Sequence, residues 1–231
     1  MKPKLTTYLI DYWNTQLTRP ISDRTRWLEI MAVILTGIGK FVFMDYLNWR
    51  LPYVVIVILA WSTYVMLRYR KNPLVLQDWG FRRDNFKSVL FMIMPFVILA
   101  VISFFVIGYI QNTLNLSWHI LPLLITYPIW GTIQQFLTIA LVAGNLSTMK
   151  SIRLKNWLVV LITAMVFSLV HYPSIWLVIG TFTLALVYTS VYLKTKNLYV
   201  LGLFHGWLGA LFYYTVVNQD PFADVFLKYF H

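Results

Sequence analysis

Cysteine is absent from this 231-residue chain, which excludes disulfides, thiolate metal ligands and cysteine nucleophiles together. Charge is scarce as well: 12% of residues are Asp, Glu, Lys or Arg, about half the roughly 25% of an average soluble domain. Acids are the scarcest. From Asn85 through Gln219 there is no Asp or Glu, and Glu29 is the only glutamate in the chain. Any chemistry within that long stretch must therefore do without a carboxylate base.

What is present is apolar surface. Apolar types make up 59% of the residues and mean hydropathy is +0.68, values of an integral membrane protein. Apolar windows between charged clusters place spans at 27–47, 51–67, 88–111, 119–146, 156–172, 174–193 and 197–218. Most are long enough to cross a hydrocarbon core of roughly 30 Å at about 1.5 Å per residue. The expectation is an all-α, polytopic helical bundle of seven transmembrane helices, or eight if the N-terminal segment enters the bilayer. Residues 1–26 form an N-terminal interfacial segment, 27–218 a single transmembrane domain and 219–231 a C-terminal tail. No cleavable leader is visible in "MKPKLTTYLIDYWNTQLTRP", and Tyr8, Tyr12 and Trp13 suit either a headgroup-level segment or a loosely ordered tail.

The net charge of +11 would suggest nucleic acid in a soluble protein. Here its distribution reads instead as topology. The side holding the N-terminus, 68–87, 147–155 and 194–196 carries 16 of the 19 Lys and Arg, against Arg50 and Lys228 on the other. The positive-inside rule then puts the N-terminus in the cytoplasm and the C-terminus on the opposite side. Within the basic side, "NPLVLQDWGFRRDNFKSVL" has the composition of either a surface helix on anionic headgroups or a solvated loop.

Polar residues inside spans are costly unless satisfied, and few occur. "YPIWGTIQQFLTIALVAGNL" holds Gln134 and Gln135 side by side, His171 lies near the end of the fifth span, and His205 lies within the seventh. Thr138 follows Gln134 by four residues and Phe167 precedes His171 by four, so each pair shares a helix face. Gly202 and Gly206 flank His205 in a small-xxx-small pattern that admits a close neighbour helix. A packed polar cluster near the midplane is expected, serving either as interhelical glue or as a site. His119, beside Trp118, and the terminal His231 read as interfacial.

Chemistry at this cluster is narrow. An amide cannot act as a base near neutral pH, so Gln134 and Gln135 can bind or orient but not deprotonate; His171 and His205 are the remaining candidate bases. Two histidines fall short of the three protein ligands of a catalytic zinc site. No cofactor is called for, and a metal, if held, would use His171 and His205.

The order of these elements resembles the CAAX protease and bacteriocin-processing family of intramembrane proteases, with motifs Glu-Glu-x-x-x-Arg, Phe-x-x-x-His and His-x-x-x-Asn or Asp. "FSLVH", Phe167 to His171, is similar to the second motif in full; "HGWLG", from His205, to the third with its last member changed; and "QQFLTI", from Gln134, to the first without its charges. The resemblance covers roughly residues 75 to 218. It implies a helical membrane fold in which a glutamate activates water to cut a peptide bond, while histidines bind metal or stabilise the oxyanion. The family's roles include trimming prenylated CAAX proteins and bacteriocin immunity. By position, Gln134 and Gln135 replace the glutamates, Ile139 the arginine, and Gly209 the Asn or Asp. Coordinated loss is physically coherent, because an arginine left beside an uncharged pair would be an unpaired buried charge.

The resemblance implies two readings. In one, the cavity around Gln134, Gln135, Thr138, Phe167 and Gly209 persists and binds a hydrophobic or prenylated peptide, a lipid or isoprenoid group, or a membrane-protein partner without cutting it. In the other, the chain is an active endopeptidase with His171 or His205 as base. Membrane lipids are partners in both, and nucleic acid in neither.

Overall fold

A computed structural model of the chain describes residues 21–227. The interfacial reading of Tyr8, Tyr12 and Trp13, and the termini at Lys228 and His231, lie outside the described residues. Within them the chain is helical, with no strand. The long elements are α1 (Asp23–Tyr46), α2 (Arg50–Lys71), α4 (Phe86–Gln111), α5 (Ile120–Thr148), α7 (Ile175–Thr195) and α8 (Leu198–Val217). A single turn, α3 (Val75–Asp78), and the shorter α6 (Asn156–Leu169) complete the set, before a last turn at Ala223–Leu227.

Six helices are thus long and apolar enough to cross a membrane. The fifth of the seven expected spans, 156–172, corresponds to α6, whose 14 residues reach only about 21 Å. That shortfall matters for function. α6 stops at Leu169, and the turn that follows, before Ser174 caps α7 by accepting from the Leu177 N–H, carries His171 at bundle depth.

Burial separates centre from periphery. In their most apolar windows, 61% of α5 and 67% of α8 are buried, whereas none of α2 is. α5 and α8 form the central pair, flanked by α4 and by the α6–α7 hairpin, with α1 and α2 outermost. The exposed Leu, Ile, Val and Phe of the outer faces are what lipid-facing surface requires.

The α5–α8 approach depends on glycine. A Cβ on Gly206 would fall 2.5 Å from Pro128 Cα, one on Gly202 would fall 2.6 Å from Thr132 Cα, and one on Gly131 would fall 2.7 Å from the Gly202 carbonyl oxygen. The small-xxx-small expectation is met on α8, and α5 contributes Gly131 to the same seam.

The segment after α2 is neither a surface helix nor a solvated loop. Val75 and Trp79 are buried, Trp79 packs edge-on against Phe136 at 5.0 Å between ring centroids, and Tyr192 Oη donates to the Trp79 carbonyl at 3.0 Å. Gly80, at φ +97°, turns the chain so close to Lys196 that a Cβ would meet its carbonyl oxygen at 2.9 Å. Its own carbonyl accepts from the Leu198 N–H. This docking fixes where α8 begins, together with Asn197, which caps α8 and donates to the Arg82 carbonyl and to Asn85.

Candidate functional site

Gln134 and Gln135 sit at the last α-helical turn of the first part of α5, and π-helical turns take over from Phe136 to Ala143. Such wide turns inside α-helices occur frequently at functional sites. Consecutive side chains on an α-helix project roughly 100° apart, so neighbours seldom share a partner. Here they do. Gln135 Nε2 donates to His205 Nδ1 at 3.0 Å, and His205 Nε2 donates to Gln134 Oε1 at 2.9 Å. The imidazole lies across the gap between the two amides with a nitrogen toward each.

This clamp defines His205 chemically. With Nδ1 accepting, the proton is on Nε2 and the ring is neutral. Turning both amides over exchanges the tautomer but leaves both nitrogens occupied. His205 and Gln135 are buried, and their mutual bonds answer the cost of polar groups in hydrocarbon. Gln135 Oε1 remains without a donor among the described residues.

His171 is held differently. Its Nδ1 donates to the Phe167 carbonyl at 2.8 Å, the i, i−4 contact expected from the spacing, and this leaves Nε2 as an unprotonated acceptor. Phe167 packs between the two histidines, its ring centroid 5.0 Å from His171 and 5.4 Å from His205. Thr138 Oγ1 donates to the Gln134 carbonyl at 2.7 Å; it steadies the backbone beneath the pair and is buried away from the cavity lining.

A cavity of about 120 Å³ joins Gln134, His171, His205 and Gly209, walled by Tyr127, Trp130, Leu177, Thr181, Leu184, Leu208 and Tyr213 among others. Gly209 has nothing within 4 Å of where a Cβ would be, so the space a motif Asn or Asp would fill is open. Gln135, Thr138 and Phe167 stand behind this lining. Gln134 Nε2 makes no bond among the described residues, so the cavity offers an amide donor there and an acceptor at His171 Nε2, beside the hydroxyls of Tyr127, Thr181 and Tyr213. The sequence reading did not single out Gly131, although it precedes Gln135 by four residues and a Cβ there would lie 2.9 Å from His205 Cδ2. The i, i+4 rule could have found it.

Among the described residues no carboxylate enters this cavity. Glu29, the sole glutamate, is buried elsewhere: it accepts from Tyr64 and from Asn145 Nδ2 (2.5 Å), with the Arg68 guanidinium at 3.9 Å. His119 lies at the other end of α5, its Nδ1 2.5 Å from Asp220, and does not line the cavity. Among the described residues no group of three or more His, Cys, Asp or Glu could hold a metal ion. With both His205 nitrogens already engaged, only His171 Nε2 could ligate, so the residues present do not fit the metal that the family resemblance implies.

Fold and site together describe a cavity inside a helical bundle, lined from α4, α5, the turn between α6 and α7, α7 and α8, where Gln134, His171 and His205 meet. The family model for type II CAAX prenyl endopeptidase Rce1-like proteins matches residues 85–211, over half of the chain and all of Gln134, Gln135, Phe167, His171, His205 and Gly209. The chain belongs to this family. No curated protein and no solved structure matches it.

Proposed function

We propose that this protein is a proteolytically silent member of the family, whose intramembrane cavity binds a group from a membrane-embedded ligand without cutting it. The observation that carries the reading is the clamp: both ring nitrogens of His205 are held by the amides of Gln134 and Gln135, where the family places glutamates. An amide cannot take a proton from water, and among the described residues no carboxylate lines the cavity.

The cavity's size narrows the occupant. Drug-sized ligands need roughly 300–1,000 Å³, so about 120 Å³ accepts one polar group with its immediate apolar neighbours. The free amide donor of Gln134 and the acceptor of His171 match a group with both a carbonyl and an N–H or O–H, such as a peptide bond in a hydrophobic or prenylated segment. The excess of Lys and Arg in alternate loops supports an N-terminus in the cytoplasm and a C-terminus on the opposite side.

One observation favours a second reading. His171 Nε2 is free to accept a proton, so an endopeptidase using His171 as base is the alternative; His205 would first have to leave its clamp.

The test is binding with recovery of the bound peptide. A fluorescent farnesylated peptide is added to the purified protein in nanodiscs, and the peptide is then extracted and weighed by mass spectrometry. Saturable binding, weakened about tenfold by Gln134→Leu for the loss of one buried hydrogen bond, with intact peptide recovered, supports the proposal. Recovery of cleaved peptide, or binding indifferent to Gln134→Leu, overturns it.

A further inference from the structure

On the face of the α5–α8 pair turned away from the cavity, a groove of about 780 Å³ runs between these helices and the start of α4. It is over six times larger than the cavity and falls within the usual range for a whole small ligand. Its floor is apolar, from Phe86, Pro128, Ile129 and Leu203 with the Tyr199 ring, and Ile129 is 63% exposed there. Its rim carries Arg83, Asp84 and Lys87.

The rim's charges are not balanced. Asp84 is taken by Arg82, whose Nε and Nη2 reach the two carboxylate oxygens at 3.0 and 2.5 Å. Arg83 and Lys87 are exposed, and neither side chain makes an ion pair or hydrogen bond among the described residues. Two free cations therefore stand at the mouth of an apolar groove on the basic side of the bundle. A ligand complementary to both parts carries an anionic head and a hydrocarbon tail.

We infer that this groove is a binding site for an anionic glycerophospholipid, with its phosphate at Arg83 and Lys87 and an acyl chain along Phe86, Ile129 and Leu203. The docking of the loop before α4, through Asn85 Nδ2 on the Thr195 carbonyl (2.7 Å) and Asn197 on the Arg82 carbonyl (2.9 Å), anchors the backbone from which Arg83 and Lys87 extend beside the groove. Because the groove and the cavity occupy opposite faces, this assignment stands or falls independently of whether the cavity cuts its ligand.

The experiment is lipid exchange on the full-length protein followed by native mass spectrometry, with phosphatidylglycerol and phosphatidylcholine of identical chains. Phosphatidylglycerol should be retained about thirtyfold more strongly, the effect of two basic side chains near an anionic surface. R83Q/K87Q should abolish that preference, whereas R153Q/K155Q, on the same side but outside the groove, should leave it intact. Glycerol 3-phosphate should not compete. Equal retention of the two lipids, an equal loss in R153Q/K155Q, or full competition by glycerol 3-phosphate would each overturn the assignment.

Discussion

Gln135 donates to the Nδ1 of His205 across 3.0 Å, fixing the histidine as a neutral ring whose other nitrogen is spent on Gln134. In a family named for endopeptidases, this bond is the physical basis of the silence we propose. The ring that the family motif supplies is present, placed and buried, but it is used as a hydrogen-bonding element between α5 and α8.

Replacing either amide by an isosteric apolar side chain should release that ring. Gln135→Leu leaves His205 Nδ1 buried without a donor, at a cost of about 1–3 kcal/mol. Thermal unfolding in detergent should register the loss, and Gln134→Leu should cost less because Gln134 faces the cavity.

Glycines 206 and 209 should respond in opposite ways. A methyl group at 206 meets backbone atoms of α5 at 2.3–2.5 Å, and separating the central helices should cost about 2 kcal/mol or more. At 209 it meets nothing, so Gly209→Ala should be neutral or stabilise by up to about 1 kcal/mol through helix propensity. Unfolding midpoints of the two variants give the comparison directly.

Glu29 should behave as a structural carboxylate. Glu29→Ala strands Tyr64, Asn145 and Arg68, and a loss of about 2–3 kcal/mol is expected; Glu29→Gln, which keeps an acceptor for Tyr64, should lose less. Neither substitution should restore or remove hydrolysis, because Glu29 does not line the cavity. Parallel unfolding and peptide-digestion measurements separate the two effects.

Acid should loosen the end of the bundle opposite the basic loops. Burial pushes the Asp220 carboxyl up, but hydrogen bonds from Tyr214, from His119 and from the Ala223 N–H outweigh it and hold it below the ordinary carboxylate value of 3.8. Because the folded pKa is depressed, this contribution is full above the unfolded value and disappears as pH falls through the folded one. Hydrogen-exchange protection near Asn115 and Ala223, corrected for the intrinsic rate, should therefore fall below about pH 4, and Asp220→Asn should remove that dependence.

Much of this was legible in the sequence. Helix positions followed from hydropathy, and the convergence of Gln134, His171 and His205 followed from the scarcity of polar groups in the spans, since each needs a partner. Thr138 with Gln134, and Phe167 with His171, are local i, i+4 contacts and could be read from spacing. What escaped depends on distant contacts. The sharing of one imidazole by adjacent amides requires α8 to sit against α5 at the glycine seam, 70 residues away in the chain. The docking of Trp79 and Gly80 likewise rests on Phe136, Tyr192 and Lys196, and the composition of that loop gave no sign of it. α6 read as a span over 156–172, whereas its helix covers only Asn156–Leu169.

The most direct test of silence is an endopeptidase assay on the purified protein in nanodiscs, with farnesylated and unprenylated peptides and products followed by mass spectrometry. The account expects no product above a protein-free control, for the native chain and for His171→Ala alike. Turnover by the native chain that is lost in His171→Ala would contradict it.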